Sequence, residues 1–415
     1  MNRQLRYNFI LVGIALMFIG LLFSRVMLSA GMILFFIFTW INEEHFLSSL
    51  KNNSLSFTHH KYYLLISLLF FIPLFSGLWS NDLHEWWRRC VVKIPLLIIP
   101  LAFVAMPALK ERSYKILTWL FVLVITIGTV WSFTRYSLDA TAVQNAYLKA
   151  SVMMVPFDDD HVRFSWAVVI AILLMVKLLN VTIINKIEKN VGIIVIGWLV
   201  IYLHILAAKT GLITLYLCLF IYLIHSWRKQ KSRIWIVAYF VAPLILLILA
   251  YYLFPTFHNR VHYVAWDFQQ YSNGNFPPGL TDGARVLSWK GGWEIFRDHF
   301  FTGVGFGDIW NNMLSWYHTN YAYLQVHDVL FPSSELLMYG CGAGILGMLF
   351  FVVAILAPFF INKEGTIIYG TCFHIASIFC FLTDVNLEGQ HGVFLYCFFA
   401  GWLQIRTVKG KGLKF

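Results

Sequence analysis

A chain of 415 residues that is 59% hydrophobic and 12% charged carries about half the charge expected of a soluble domain. With a mean hydropathy of +0.70 and long continuous apolar runs, it reads as an all-α polytopic membrane protein. The runs do not alternate, which excludes a β-barrel. A net charge of +11 would suggest nucleic acid in a soluble protein. Here membrane topology accounts for it first, and no nucleic-acid partner is expected.

The apolar runs predict about twelve spans, at 8–24, 26–41, 62–78, 91–107, 115–133, 164–181, 191–208, 210–226, 233–254, 334–357, 366–382 and 391–406. The stretch from Asn2 to Arg6 followed by an apolar run imitates a signal peptide. A second run starting at Val26 follows almost at once, so the first helix is read as retained. The chain then divides into helices 1–9 over 1–254, a large loop over 255–332, and helices 10–12 over 333–415, all in one integral membrane domain. An even number of spans puts both termini on one side. If that side is cytoplasmic, the inner segments hold most of the 31 Lys and Arg residues, Arg228, Lys229, Lys231, Lys409 and Lys411 among them, and few of the 20 acids. This satisfies the positive-inside rule. The long loop then faces outward, which in a bacterium is the periplasm.

The six cysteines, Cys90, Cys218, Cys341, Cys372, Cys380 and Cys397, lie mostly in apolar runs and lack metal spacing. They read as small apolar residues, and no metal site is expected.

The outward side keeps bases that topology alone disfavours: Arg88, Arg89, Lys93, Arg163, Lys209, Arg260, Arg285, Lys290 and Arg297. An anionic ligand such as a phosphate or pyrophosphate explains the set. For any single one, pairing with outer acids such as Asp158, Asp159 and Asp160, or with lipid headgroups, is the favoured reading. Lys209 sits in Ala207-Ala208-Lys209-Thr210-Gly211, between two apolar runs. It either snorkels to the interface or points into a cavity between helices.

Within the long loop, Thr281-Asp282-Gly283-Ala284-Arg285 reads as a turn or cap before an amphipathic helix over 285–301. Val286, Trp289, Trp293 and Phe296 recur there at helical spacing, and the helix is expected at the membrane interface. Gly303, Gly305 and Gly307 follow. No strand precedes them, so a nucleotide-binding fold is rejected. They are read as a tight, backbone-exposed loop, with phosphate contact through its N–H groups as an alternative. Next come His318 and His327 among Tyr317, Tyr321 and Tyr323. They are either an acid and a base or plain interfacial hydrogen-bonding residues. Gly340, Gly342, Gly344 and Gly347 suit close helix packing. The polar link over 384–392, with Glu388 and Gln390, is expected to line the same outer cavity.

Taken together, these motifs resemble the O-antigen ligase and O-antigen polymerase superfamily. The resembling features are Arg285 with Trp289, the glycine turn from Gly303 to Gly307, and His327 opening a segment that runs into a Gly-rich helix. The Lys209-Thr210-Gly211 turn and the Leu387-Glu388-Gly389-Gln390 link are also similar to family features. The resemblance implies a metal-independent, cofactor-free glycosyltransferase of the bacterial inner membrane. Its donor would be a glycan on undecaprenyl diphosphate. Its acceptor would be a sugar hydroxyl of lipid A–core, or another glycan chain if the enzyme is a polymerase. It implies His327 and Arg285 as catalytic residues, and Lys209, Arg285, Arg163 and Arg88 as diphosphate-binding residues. His318, Glu388 and Gln390 would be accessory. Two positions depart from the family: Asp328 stands where it usually has Asn, and Lys209 where it usually has Arg, which loses the bidentate fork. A polysaccharide transporter or flippase is the alternative from another class. It predicts internal repeats and broken helices in matching halves, and the sequence shows neither.

Overall fold

The computed structural model describes residues 2–40, 56–149, 151–181, 184–227, 233–276, 278, 282–361 and 367–405. Among these there are helices and turns but no strand. Thr281 and several bases expected on the inner side (Lys51, Arg228, Lys229, Lys231, Lys363, Arg406, Lys409, Lys411 and Lys414) lie outside the described residues.

The chain begins with a helical hairpin, α1 (Arg3–Phe23) and α2 (Arg25–Trp40). A Cβ on Gly20 would lie 2.4 Å from the Leu28 nitrogen, so only glycine permits this tight reversal. Then come α3 (Lys61–Ser76), α4 (Leu83–Lys93), α5 (Pro95–Ala105), α6 (Glu111–Leu138) and the short α7 (Ala140–Ala146). α8 (His161–Val181), α9 (Lys186–Leu206), α10 (Lys209–Trp227) and α11 (Arg233–Leu253) follow. The segment read as one loop carries three helices: α12 (Pro255–Ser272), α13 (Asp282–Asp298) and α14 (Ile309–Asn320). The last elements are α15 (Glu335–Ile361), α16 (Ile367–Thr383) and α17 (Gln390–Trp402).

Among the described residues, six helices are long and apolar enough to cross a membrane: α1, α6, α8, α9, α10 and α15. The end of α11 and α12 make a seventh if this pair, bent by 96°, counts as one span. α2, α3 and α16 are apolar but shorter. The protein is thus a multi-pass, all-helical membrane protein. α8 and α17 form its centre. Trp166 and the residues from Val393 to Trp402 are almost wholly buried, and Phe18, Phe121, Phe398, Phe399 and Trp402 interlock as rings 4.5–6.1 Å apart.

The span expected over 91–107 is two short helices instead. Pro95 has no N–H to continue α4, and starts α5 at its first turn, where that loss costs nothing. α4 can therefore turn Arg89 and Lys93 into the protein, where both are buried.

The glycine turn also differs from expectation. It is buried, not backbone-exposed. α15 is broken at Ala343 (φ −140°, ψ 21°) and Gly344 (φ 63°, ψ −158°). Such a break strands backbone groups, and each would cost several kcal/mol in an apolar setting. The turn supplies the partners. Val304 and Gly305 donate N–H bonds to the Cys341 and Gly342 carbonyls at 2.7 and 3.1 Å, and Ile345 donates to the Phe300 carbonyl at 2.8 Å. The Phe306 and Gly307 N–H groups donate to Ser76 Oγ and Ser80 Oγ, both at 3.2 Å. These N–H groups serve protein acceptors, so the turn is a splice for a broken helix rather than a phosphate cradle.

Candidate active site

Three helix ends converge beside this core. α9 stops at Ala207, whose left-handed φ of 48° redirects the chain. Carbonyls near that end find outside donors: Thr256 Oγ1 donates to the Ile205 oxygen at 2.5 Å, and Tyr147 Oη donates to the Leu206 oxygen at 2.7 Å. The turn places Lys209 at the head of α10. Two residues on, a Cβ at Gly211 would lie 2.5 Å from the Ser165 Cβ, so glycine lets the start of α8 close in.

α13 is set by α12. Asp267, 2% exposed, accepts the N–H groups of Asp282 and Gly283 at 2.6 and 3.4 Å, which satisfies two donors at the helix start. Asp282 then pairs with Lys209. Less than a turn later, Arg285 pairs with Asp384 of the 384–392 link at 3.0 Å.

These groups line a pocket of about 420 Å³ together with His161, Arg260, Tyr263, Trp310, Phe331 and Ser333. Arg260 stands out. Its guanidinium lies 5.4 Å from the Tyr263 ring centre, and its Nε and Nη1 are buried with no hydrogen-bond partner among the described residues. Buried N–H donors without acceptors are costly, so these two suit an anion entering the pocket. Lys209 and Arg260 also line a second, larger groove of about 790 Å³. Apart from these two, its walls are largely apolar and come from Ala207 and from α10 to α12, with Leu212, Tyr216, Phe220, Leu247 and Phe257 among them. A cationic pocket and an apolar groove thus meet at two shared bases.

The structure brings together two of the expected residues, Lys209 and Arg285. The others sit elsewhere. Arg163 pairs with Asp160 and donates to the Val385 and Asn386 carbonyls at 2.6 and 3.2 Å, holding the link. Arg88 is 64% exposed and bonds Glu85 at 2.7 Å. His318 is exposed in the last turn of α14. The His327 side chain is 80% exposed, 3.7 Å from Asp328, and does not line the pocket. Gln390 donates to Ser29 Oγ at 2.7 Å, tying the link to the first hairpin.

Glu388 is buried between α4 bases. Its carboxylate meets Lys93 at 2.5 Å and Arg89 at 2.6 Å. Burial pushes the carboxyl's pKa up, but the Lys93 and Arg89 charges outweigh burial and hold it below the ordinary carboxylate value. Lys93 also donates to the Leu387 carbonyl at 3.0 Å. Among the described residues, no group of three or more His, Cys, Asp or Glu is arranged to hold a metal ion.

Sequence reasoning passed over His161 as a site residue, expected Asp384 only as part of the 384–392 link lining the outer cavity, and counted Arg260 only among the outer bases. Nothing in the local sequence marks His161, whose neighbours in the pocket come from distant segments. Arg260 was signalled by its place on the side expected to face outward. Glu388 and Gln390 were singled out from the link, whereas its beginning, Asp384 and Val385, lines the pocket.

A pocket holding three bases and an apolar groove thus lie side by side in an all-helical multi-pass membrane protein. More particularly, a family model described as O-Antigen ligase matches residues 193–352. This segment runs from α9 into α15 and holds Lys209, Arg260, Arg285, the glycine turn and His327. The chain is therefore similar to the O-antigen ligase and polymerase superfamily over this segment, in line with its motifs. No curated protein matches the chain.

Proposed function

We propose that this protein is a glycosyltransferase that moves a glycan from undecaprenyl diphosphate to a sugar hydroxyl of lipid A–core, on the periplasmic face of the bacterial inner membrane. The observation that carries the reading is the meeting of pocket and groove at Lys209 and Arg260. A polyprenyl diphosphate needs both: apolar wall for its chain and fixed positive charge for its head.

In the transfer, the acceptor oxygen forms a bond to the anomeric carbon, and that carbon's bond to the diphosphate oxygen breaks. Negative charge grows on the leaving diphosphate. Arg260, Lys209 and Arg285 are fixed in a partly buried site, where preorganised charge stabilises such a group most. Asp282 and Asp384 hold Lys209 and Arg285 until the diphosphate replaces them. In this reading these side chains supply the charge that meets the leaving group, and the enzyme is proposed to be metal-independent. Both termini cytoplasmic, α12 to α14 outside and the pocket facing the periplasm complete the proposed arrangement.

Binding of undecaprenyl diphosphate to the purified protein in lipid nanodiscs tests this. Wild type should bind saturably, and Arg260→Ala and Lys209→Ala should each weaken binding roughly tenfold to a hundredfold, the value of a charge-assisted hydrogen bond. Arg297→Ala, exposed and paired with Asp298, should bind as wild type. No saturable binding by wild type, or an Arg260→Ala variant indistinguishable from it, would contradict the reading.

A further inference from the structure

We infer that an aromatic shelf formed by Tyr271, Phe276, Tyr321 and Tyr323 is a subsite for the donor's glycan chain, holding sugars beyond the one that reacts. The inference rests on the glycosyl-transfer reading above and adds a second point of attachment for the same substrate.

Composition sets the shelf apart. Neither 268–276 nor 309–327 contains an Asp, Glu, Lys or Arg. A solvated helix face usually carries charge. The exposed positions of α14 instead hold Asn311, Ser315, His318, Thr319 and Asn320. The two segments meet through their rings. The Phe276 ring centre lies 5.6 Å from that of Tyr271 and 5.5 Å from that of Tyr321, and Tyr321 lies 6.5 Å from Tyr323. Hydrogen bonds fix them. Tyr323 Oη donates to the Phe276 carbonyl at 3.2 Å. The Tyr321 N–H donates to the Tyr317 carbonyl at 2.7 Å, and the Asn275 N–H to the Gln270 carbonyl at 2.9 Å.

This chemistry suits an uncharged glycan. A sugar ring presents hydroxyls around its edge and C–H groups on its faces. The C–H groups pack on the electron-rich face of a tyrosine. The hydroxyls pair with Asn and Gln amides, which both donate and accept. Rigid tyrosines among small polar side chains give contact area at low entropic cost. A phosphate would call for bases, and these segments have none. A lipid chain would call for aliphatic side chains such as Ile245 and Ile248, which α11 exposes. Over 269–276 and 315–325 the exposed large hydrophobic side chains are Tyr271 and Tyr323, each with a hydroxyl.

Position ties the shelf to the pocket. α12 carries Arg260 and Tyr263 in the pocket and Tyr271 near its far end. α14 carries Trp310 in the pocket and ends beside Tyr321. At 1.5 Å per residue, each path is about 15 Å long. The chain then returns from the shelf to the pocket through Val329, Leu330 and Phe331, and His327 lies on that return. A glycan whose diphosphate is held at Arg260 therefore meets the shelf several sugars out. The occupant is the donor's glycan because one rigid helix, α12, carries both the base for its diphosphate and a ring for its chain.

The test is binding in lipid nanodiscs with two probes: bare undecaprenyl diphosphate, and the lipid-linked glycan that a deletion strain of the host accumulates. Wild type should bind the glycan-bearing probe about tenfold more tightly, the value of two stacked rings. The double variant Tyr271→Ala/Tyr323→Ala should lose that difference, while its binding of the bare probe stays within about twofold of wild type. In transfer assays it should raise the donor's KM and leave the acceptor's KM unchanged. Tyr271→Phe/Tyr323→Phe, which keeps both rings, should retain most of the preference, and melts matching wild type exclude a folding defect. A double alanine variant with the wild-type preference would overturn the inference. Equal weakening of both probes would also do so, since the rings would then seat the protein in the membrane or support the fold. A rise confined to the acceptor's KM would move the shelf to the acceptor and overturn it too. If wild type binds both probes equally, the subsite fails while the glycosyl-transfer reading stands. If wild type binds neither, that reading fails first.

Discussion

Glu388 shows how one buried acid holds a site together without touching it. Its side chain is 9% exposed, against 5% for Arg89 and 0% for Lys93. Removing one member of a buried charge set leaves its partners unpaired and costs about 3–5 kcal/mol. Glu388→Ala should therefore destabilise the protein by about that amount, read as a lowered thermal midpoint in detergent, while Arg88→Ala, exposed, should leave the midpoint unchanged. The pH dependence follows in sign. Because the folded-state pKa of Glu388 lies below its ordinary value, its contribution is complete above the ordinary carboxylate range and is lost as pH falls through the folded value. The acid-induced drop in thermal midpoint should be smaller in Glu388→Gln than in wild type. At this scale the sequence was partly legible. Lys209 and Arg285 stood out because they are bases on the side expected to face outward, which topology keeps poor in bases. Glu388 was noticed, but its partners Arg89 and Lys93 sit almost 300 residues away in sequence, on a helix that looked like part of a span.

Among the elements, the break in α15 and the turn over 303–307 form one device. A broken helix in an apolar setting is stable only if its freed carbonyls and N–H groups find partners, and here the turn provides them. Gly303 and Gly305 have φ of 68° and 87°, and a Cβ on Gly303 would lie 2.4 Å from the Cys341 oxygen. Gly303→Ala should thus carry both backbone strain, about 1–3 kcal/mol, and a clash with backbone that cannot yield. The expected outcome is a lower melting temperature and a lower yield of folded protein. Gly197→Ala, on α9 with open space at the Cβ, is the control and should melt as wild type. The alternation of glycines was plain in the sequence. Its purpose was not, because the backbone it completes lies some 40 residues further on. The helix expected over 285–301 was legible from its 3- and 4-residue apolar spacing, and runs as Asp282–Asp298. Its start came earlier because Asp267, on a different helix, caps it.

For the whole molecule, the apolar runs announced an all-helical membrane protein, since continuous hydrophobicity over such lengths has few other solutions. What the runs could not disclose was depth. Several predicted spans are short helices, and α11 turns by 96° into α12. That elbow creates the groove and brings Arg260 beside Lys209. The pocket exists only because segments near residues 161, 209, 260, 285 and 384 meet in space, which no local pattern encodes. The central claim is that these residues serve transfer of a lipid-linked glycan. The most direct measurement is in a deletion strain of the native host complemented with wild type, Arg260→Ala or Arg285→Ala. Surface lipopolysaccharide is run on a gel beside an assay of undecaprenyl-linked glycan. The account predicts that the ladder vanishes in the deletion and in both variants while long lipid-linked polymer accumulates. Accumulation of single repeat units instead would make the enzyme a polymerase working through the same pocket. If both pools stay normal in the deletion and the variants, the account is contradicted.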